Sequence, residues 1–239
     1  MGRARVKIRA GMGGRLLAGI HRVHAPRNIA ALRRKTPAPA VVLVPTRTAD
    51  SLAWMRPDLL VRLVPLTGVV ALVWLVWRPR WLGMGPGRLD VQLAFGLPGA
   101  VVFFAASCLL QTALAPVRGS LKVPASRADA ALQGGYYALN APIEEAFFRG
   151  LLQGGLATVA GPGAGLLAGT VPYVLYHRLG GWAWIDVMAT MLVGLPVALA
   201  YWLLPGPPSL LGVTLVHIGA TCGYLGPGPW LLRKLRASR

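Results

Sequence analysis

The chain has 239 residues, 55% of them hydrophobic and only 13% charged, with a mean hydropathy of +0.55. A soluble globule of this composition would lack polar side chains to cover its surface, so the bilayer is the natural solvent. The net charge of +18 does not mark a nucleic-acid binder, because 12 of the 25 Lys and Arg residues fall in the first 60 positions, against Asp50 and Asp58 alone. Basic clusters beside apolar spans set topology or meet anionic headgroups.

Residues 1–58 form a basic tail, rich in Arg, Ala and Pro and without amphipathic period, which predicts disorder. The apolar piece 16–20 is too short for a signal peptide, and Arg22 interrupts it. Met55-Arg-Pro-Asp58 leads directly into the first hydrophobic span, as at an ordinary membrane-protein start, so part of the tail before Met55 reads as lying outside the native coding sequence.

Apolar runs of bilayer length occur at about 60–77, 91–115, 131–158, 164–177, 182–204 and 209–230. They predict an all-α, polytopic transmembrane bundle of about six helices over residues 59–232, with a basic C-terminal tail at 233–239. Asn140-Ala-Pro142 resembles an N-cap followed by proline in the first turn, placing a helix start there. With six helices, the N-terminal tail, Arg118, Lys122, Arg127, Arg178 and the last basic cluster share one side, which predicts both termini in the cytoplasm of a plasma or inner-membrane protein. Cys108 and Cys222 lie in apolar stretches and read as small core hydrophobes. Six of the tryptophans, Trp182 among them, sit at span ends, as in an interfacial belt.

The candidate chemistry is concentrated in few residues. Glu144 and Glu145 are the chain's two glutamates, adjacent in Pro142-Ile-Glu-Glu-Ala-Phe-Phe-Arg149. A charge at the bilayer centre costs at least ~2.5–3.5 kcal/mol on insertion scales, so these carboxylates call for a partner or a function. Arg149 lies on the same helical face as Glu145, one turn on, and predicts an ion pair that leaves Glu144 freer to act. His177 and His217 lie in two later apolar runs, whereas His21 and His24 belong to the tail. Such a set supports hydrolysis in either of two ways. Glu144, His177 and His217 can hold zinc or another divalent metal that activates water. Alternatively, Glu144 itself deprotonates water, with the histidines orienting it or stabilising the oxyanion. Asp186, near a span end, reads as an interfacial, solvated carboxylate.

The order Glu144-Glu145-x-x-x-Arg149, Tyr173-x-x-x-His177, then His217 resembles the CAAX protease and bacteriocin-processing (CPBP, or Abi) family of intramembrane endopeptidases, over about 131–225. The resemblance implies that Glu144 activates water, that Glu145 and Arg149 support it, and that His177 and His217 complete the catalytic or metal-binding set. It also implies a membrane-associated peptide substrate, prenylated peptides included. Two positions depart from the family pattern: Tyr173 stands where Phe is usual, and Thr221 where Asn or Asp follows the last His. Two other readings fit the residues: a non-catalytic scaffold or immunity protein of the same fold, and a proton- or ion-coupled carrier using the same ionisable groups.

Overall fold

A 30-residue apolar helix, α1 (Thr48–Trp77), opens the bundle in the computed structural model, which describes residues 41–237. Its first turn is closed by Asp50, whose carboxylate accepts the Arg47 backbone N–H at 3.0 Å. It stops at Arg78, whose φ is +44°, because a left-handed residue followed by proline cannot continue a helix. Just after Pro57, which has no N–H to give, the turns widen to the i→i+5 pattern over Leu59–Leu63.

The chain turns through a short 3₁₀ segment, Arg80–Leu82, into α2 (Leu89–Arg118). Strand β2 (Ser120–Pro124) follows and pairs in parallel with β1 (Val42–Thr46), Val42 opposite Ser120 and Thr46 opposite Pro124. Next comes α3, residues 127–160, whose N-terminus is capped by the Ser126 hydroxyl accepting the Asp129 N–H at 3.1 Å. It is α-helical over Arg127–Glu145, widens to i→i+5 turns over Ala146–Gly154 and returns to α over Gly155–Ala160. The remaining helices are α4 (Pro162–Tyr176), α5 (Trp184–Leu203), α6 (Leu211–Tyr224) and α7 (Pro227–Ala237).

This is a helical bundle, as composition predicts. By length and composition, α1, α2 and α5 suit a full crossing. Helix α3 carries the polar residues of the site, and α4 and α6 are shorter. Two boundaries differ from the sequence reading. Residues 42–58 are strand and helix rather than disordered tail, and upstream residues join the core: the Thr46 and Ser51 hydroxyls donate to buried Asp129 at 2.7 and 2.6 Å. These contacts span about eighty residues, beyond any local composition window. Residues 1–40, the rest of that tail, and the final 238–239 lie outside the described residues. Similarly, no helix begins at Asn140: α3 runs through Pro142, and its start is the Ser126 cap.

Helices α2 and α6 touch backbone to backbone. A β-carbon on Gly219 or Gly223 would overlap the carbonyl oxygens of Ala100 and Phe104, so the Gly219-x-x-x-Gly223 face admits nothing larger. That close approach fixes the depth of His217, half a turn before Gly219. An apolar cluster of Val197, Tyr201, Val213 and Val216 joins α5 to α6 beneath it. Cys108 is buried, Cys222 half-buried, and both are free thiols.

Candidate active site

Helix α3 delivers Glu144, Glu145 and Arg149 into the bundle, each no more than 1% exposed. Burying three formal charges is costly unless each finds a partner. Glu145 finds two: its Oε1 lies 2.7 Å from His217 Nδ1 and its Oε2 3.3 Å from Arg149 Nε. Arg149 also donates to the Gly169 carbonyl at 2.9 Å, and its guanidinium lies 4.7 Å from the centre of the Tyr173 ring. The ion pair read from the four-residue spacing is therefore present.

Glu144, rotated away on the same helix, meets different groups. Its Oε1 accepts from the Arg62 guanidinium of α1 and from the Tyr176 hydroxyl at 3.2 Å. Its Oε2 lies 3.6 Å from His217 Nε2 and makes no hydrogen bond. His217 Nε2 also faces the Tyr173 hydroxyl at 3.3 Å. His177 Nδ1 lies 2.8 Å from the Tyr173 carbonyl. A carbonyl can only accept, so Nδ1 carries the proton and Nε2 of the neutral ring is left as an acceptor. The ring is wedged edge-on among Tyr173, Tyr176 and Trp182.

Glu144, His177, His217 and Thr221 all line one cavity of about 520 Å³. Its wall continues past Trp182 to Asp186, Arg118 and the β2 residues Ser120 and Lys122. The arrangement is a partly open cavity in which a buried carboxylate oxygen without a hydrogen-bond partner sits beside an imidazole nitrogen. That is a setting for moving a proton on and off water.

A family model described as type II CAAX prenyl endopeptidase, Rce1-like, matches residues 128–222, the stretch from the first turn of α3 to α6 that holds both glutamates, Arg149 and both histidines. Residues 128–222 are thus similar to the CAAX protease family. No curated protein and no solved structure matches the chain. Three helices, α1, α2 and α5, are long and apolar enough to cross a membrane, as suits an intramembrane endopeptidase of the kind this stretch resembles.

Several residues of this site escape a reading of the sequence. Arg62 is held by Asp58 at 2.6 Å one turn before it, as well as by Glu144 and Tyr176. The Tyr136 hydroxyl closes the network on Asp58. The available signal was a lone arginine inside an apolar run, which needs a buried partner as the glutamates do. Asp186 is buried rather than solvated at the interface, because Arg118 lies 3.2 Å away and the Tyr224 hydroxyl donates to it. Trp182 is also a cavity wall, packed on His177.

The donor types suit zinc, but among the described residues no three His, Cys, Asp or Glu side chains are grouped to hold a metal ion. Glu144 Oε1 is occupied by Arg62 and Tyr176, and Nδ1 of each histidine is engaged by Glu145 or Tyr173. Those partners leave Oε2 of Glu144 free and turn Nε2 of each histidine away from them, the orientation in which a carboxylate or carbonyl on Nδ1 supports a metal-binding Nε2.

Proposed function

We propose that the chain is an endopeptidase that cleaves membrane-associated, prenyl-modified peptides by means of water activated by Glu144. The observation that carries this reading is the free Oε2 of Glu144, buried in the cavity and 3.6 Å from His217 Nε2. Arg62 and Tyr176 hold the other oxygen, which balances the carboxylate's charge and aims it. Glu145, accepting from Nδ1, fixes the tautomer and the plane of His217, and Arg149 holds Glu145 in turn.

In this mechanism a water between Glu144 and the scissile carbonyl gives its proton to Oε2, and its oxygen bonds to the carbonyl carbon. The carbonyl oxygen becomes an oxyanion stabilised by hydrogen bonds from protonated His217 and the Thr221 hydroxyl. His177 Nε2, an acceptor in its neutral tautomer, orients the attacking water. As the C–N bond breaks, Glu144 returns the proton to the departing amine. Burial of Glu144 and His217 lowers the local dielectric and strengthens the contacts that these two side chains make. The reading of both termini as cytoplasmic rests on loop charges, and on that reading the cavity end bearing Arg118 and Lys122 faces the cytoplasm.

The test is cleavage of prenyl-cysteine peptides by purified wild type, Glu144→Gln and His217→Ala, each with and without chelator. Cleavage by wild type that survives chelation and is lost in both variants supports the reading. Loss on chelation, with recovery on adding zinc, would replace the glutamate mechanism by a metal one, and a wild type inactive on every peptide would favour a scaffold or carrier.

A further inference from the structure

Tyr173 touches both histidines of the site, and water activation at Glu144 uses only one of those contacts. Its carbonyl holds His177 Nδ1 at 2.8 Å, and its hydroxyl lies 3.3 Å from His217 Nε2. The residue is buried and lines the cavity. Its ring is packed on several sides: the Arg149 guanidinium lies 4.7 Å from its centre, Phe148 and His177 meet it edge-on at 5.5 and 4.9 Å, and a β-carbon on Gly194 of α5 would come within 2.8 Å of its Cδ1 and Cε1. The phenol oxygen is therefore held in place while its hydrogen can still rotate.

The direction of that hydrogen follows from the far side of His217. Glu145 accepts from Nδ1, so Nε2 of the neutral ring is an acceptor and the Tyr173 hydroxyl donates to it. At 3.3 Å this bond is long for a hydroxyl donor, and little is lost when it is exchanged for another. Once Nε2 carries a proton it no longer accepts, and the phenol hydrogen turns away from it. The ring nitrogen and the phenol oxygen then present two donors 3.3 Å apart, a pair spaced to converge on one oxygen. Glu144 Oε2, to which the water proton goes, lies 3.6 Å from the same nitrogen. Tyr176, the neighbouring phenol, is committed elsewhere: its hydroxyl donates to Glu144 and accepts from Arg62.

We propose that Tyr173 is a further catalytic residue, whose hydroxyl donates a hydrogen bond to the carbonyl oxygen of the scissile bond as that oxygen becomes an oxyanion, beside His217 and Thr221. The inference rests on the peptidase reading. The phenol keeps its proton throughout: the proton from water goes to Glu144 and on to the departing amine, and Tyr173 supplies a hydrogen bond alone. A neutral donor suits a buried site, because unlike lysine or arginine it needs no counter-charge while no substrate is bound.

The experiment measures cleavage of a fluorescent prenyl-cysteine peptide by the purified full chain, Tyr173→Phe, Thr221→Asn and the double variant, with Tm recorded for each. Tyr173→Phe removes one oxygen and keeps the packed ring. It is expected to lower kcat by about 10²-fold with KM and Tm close to wild type. Adding Thr221→Asn, which brings an amide donor from α6, is expected to recover about tenfold or more of that loss, a larger gain than the same substitution gives in the wild-type background. A merely structural phenol would show no such recovery. Wild-type kcat in Tyr173→Phe would overturn the proposal and leave the peptidase reading intact. A loss that Thr221→Asn does not recover would make the hydroxyl a positioning group for His217 and overturn the donor role. A wild type inactive on every peptide would overturn the peptidase reading, and this inference with it.

Discussion

Glu145 and His217, 72 residues apart in sequence, meet at 2.7 Å in the centre of the bundle, with the Glu145 carboxylate facing the ring nitrogen that points away from Glu144. Of two adjacent glutamates, one therefore faces the reacting position and the other holds the imidazole that faces it. Two carboxylates on neighbouring positions diverge by about 100° around a helix, so one segment serves both tasks.

Glu145→Gln keeps an acceptor for His217 but removes the charge that balances Arg149 and any imidazolium. The expected outcome is a folded protein with kcat lower by about 10²-fold and KM little changed. Glu145→Ala leaves Arg149 buried without its ion pair and is expected to be destabilised by about 3–5 kcal/mol, read as a large fall in Tm. A Glu145→Gln protein with wild-type kcat would remove His217 orientation from the mechanism.

Arg62 gives the second expectation. It donates to Glu144 Oε1 and is itself held by Asp58, so it fixes which carboxylate oxygen is left for water. Arg62→Gln should lower kcat by about 10–100-fold, and Arg62→Lys by less, since lysine supplies the charge without the fork. Asp58→Asn should move activity in the same direction through Arg62. Steady-state kinetics of the three variants would check the order, and equal activity in Arg62→Gln and wild type would show that α1 only packs on the site.

Arg62 also shows where sequence reasoning stops. The Glu144-Glu145-x-x-x-Arg149 run was legible because these are the chain's two glutamates and sit in an apolar segment, and the two later histidines were legible as isolated ionisable groups in apolar runs. Their partners were not. Arg62 and Tyr176 reach Glu144 from positions 82 and 32 residues away, separations no local pattern encodes. Asp186 misled in the opposite direction: its position near a span end suggested water, whereas Arg118 and Tyr224 bring it into the cavity wall. The helical architecture came from hydropathy, but the β1–β2 ribbon, five residues on each side and paired across two long helices, leaves no strong periodic trace.

The ribbon leads to an expectation about the N-terminal boundary. Buried Asp129 accepts hydrogen bonds from Thr46, Ser51 and Gln133, and two of these donors precede Met55. A chain started at Met55 would leave Asp129 with Gln133 alone among these partners. Unsatisfied buried carboxylate oxygens cost about 1–3 kcal/mol or more, so the shortened protein should melt at a lower temperature. Asp129→Asn should recover part of the loss, because the amide is cheaper to bury. Thermal melts of the full and shortened chains, each with and without Asp129→Asn, would separate this effect from simple loss of the ribbon. Equal Tm for the full and shortened chains would show that residues before Met55 do not stabilise the bundle.

Thr221 provides the last expectation. It lies four residues after His217, one helical turn along α6, and lines the cavity beside it. A hydroxyl there can give one hydrogen bond to an oxyanion, whereas an asparagine amide has two N–H groups and a longer reach. Thr221→Ala should lower kcat by about tenfold or more while leaving KM and Tm close to wild type, since removing one oxyanion donor costs about 10²–10³ at most. Thr221→Asn should match or exceed wild type. The substitution is tolerable in space, because Thr221 is only half-buried and its side chain faces open volume. If Thr221→Ala retained full kcat, stabilisation of the oxyanion would fall to His217 and Tyr173, and the threonine would be a spacer on the cavity wall.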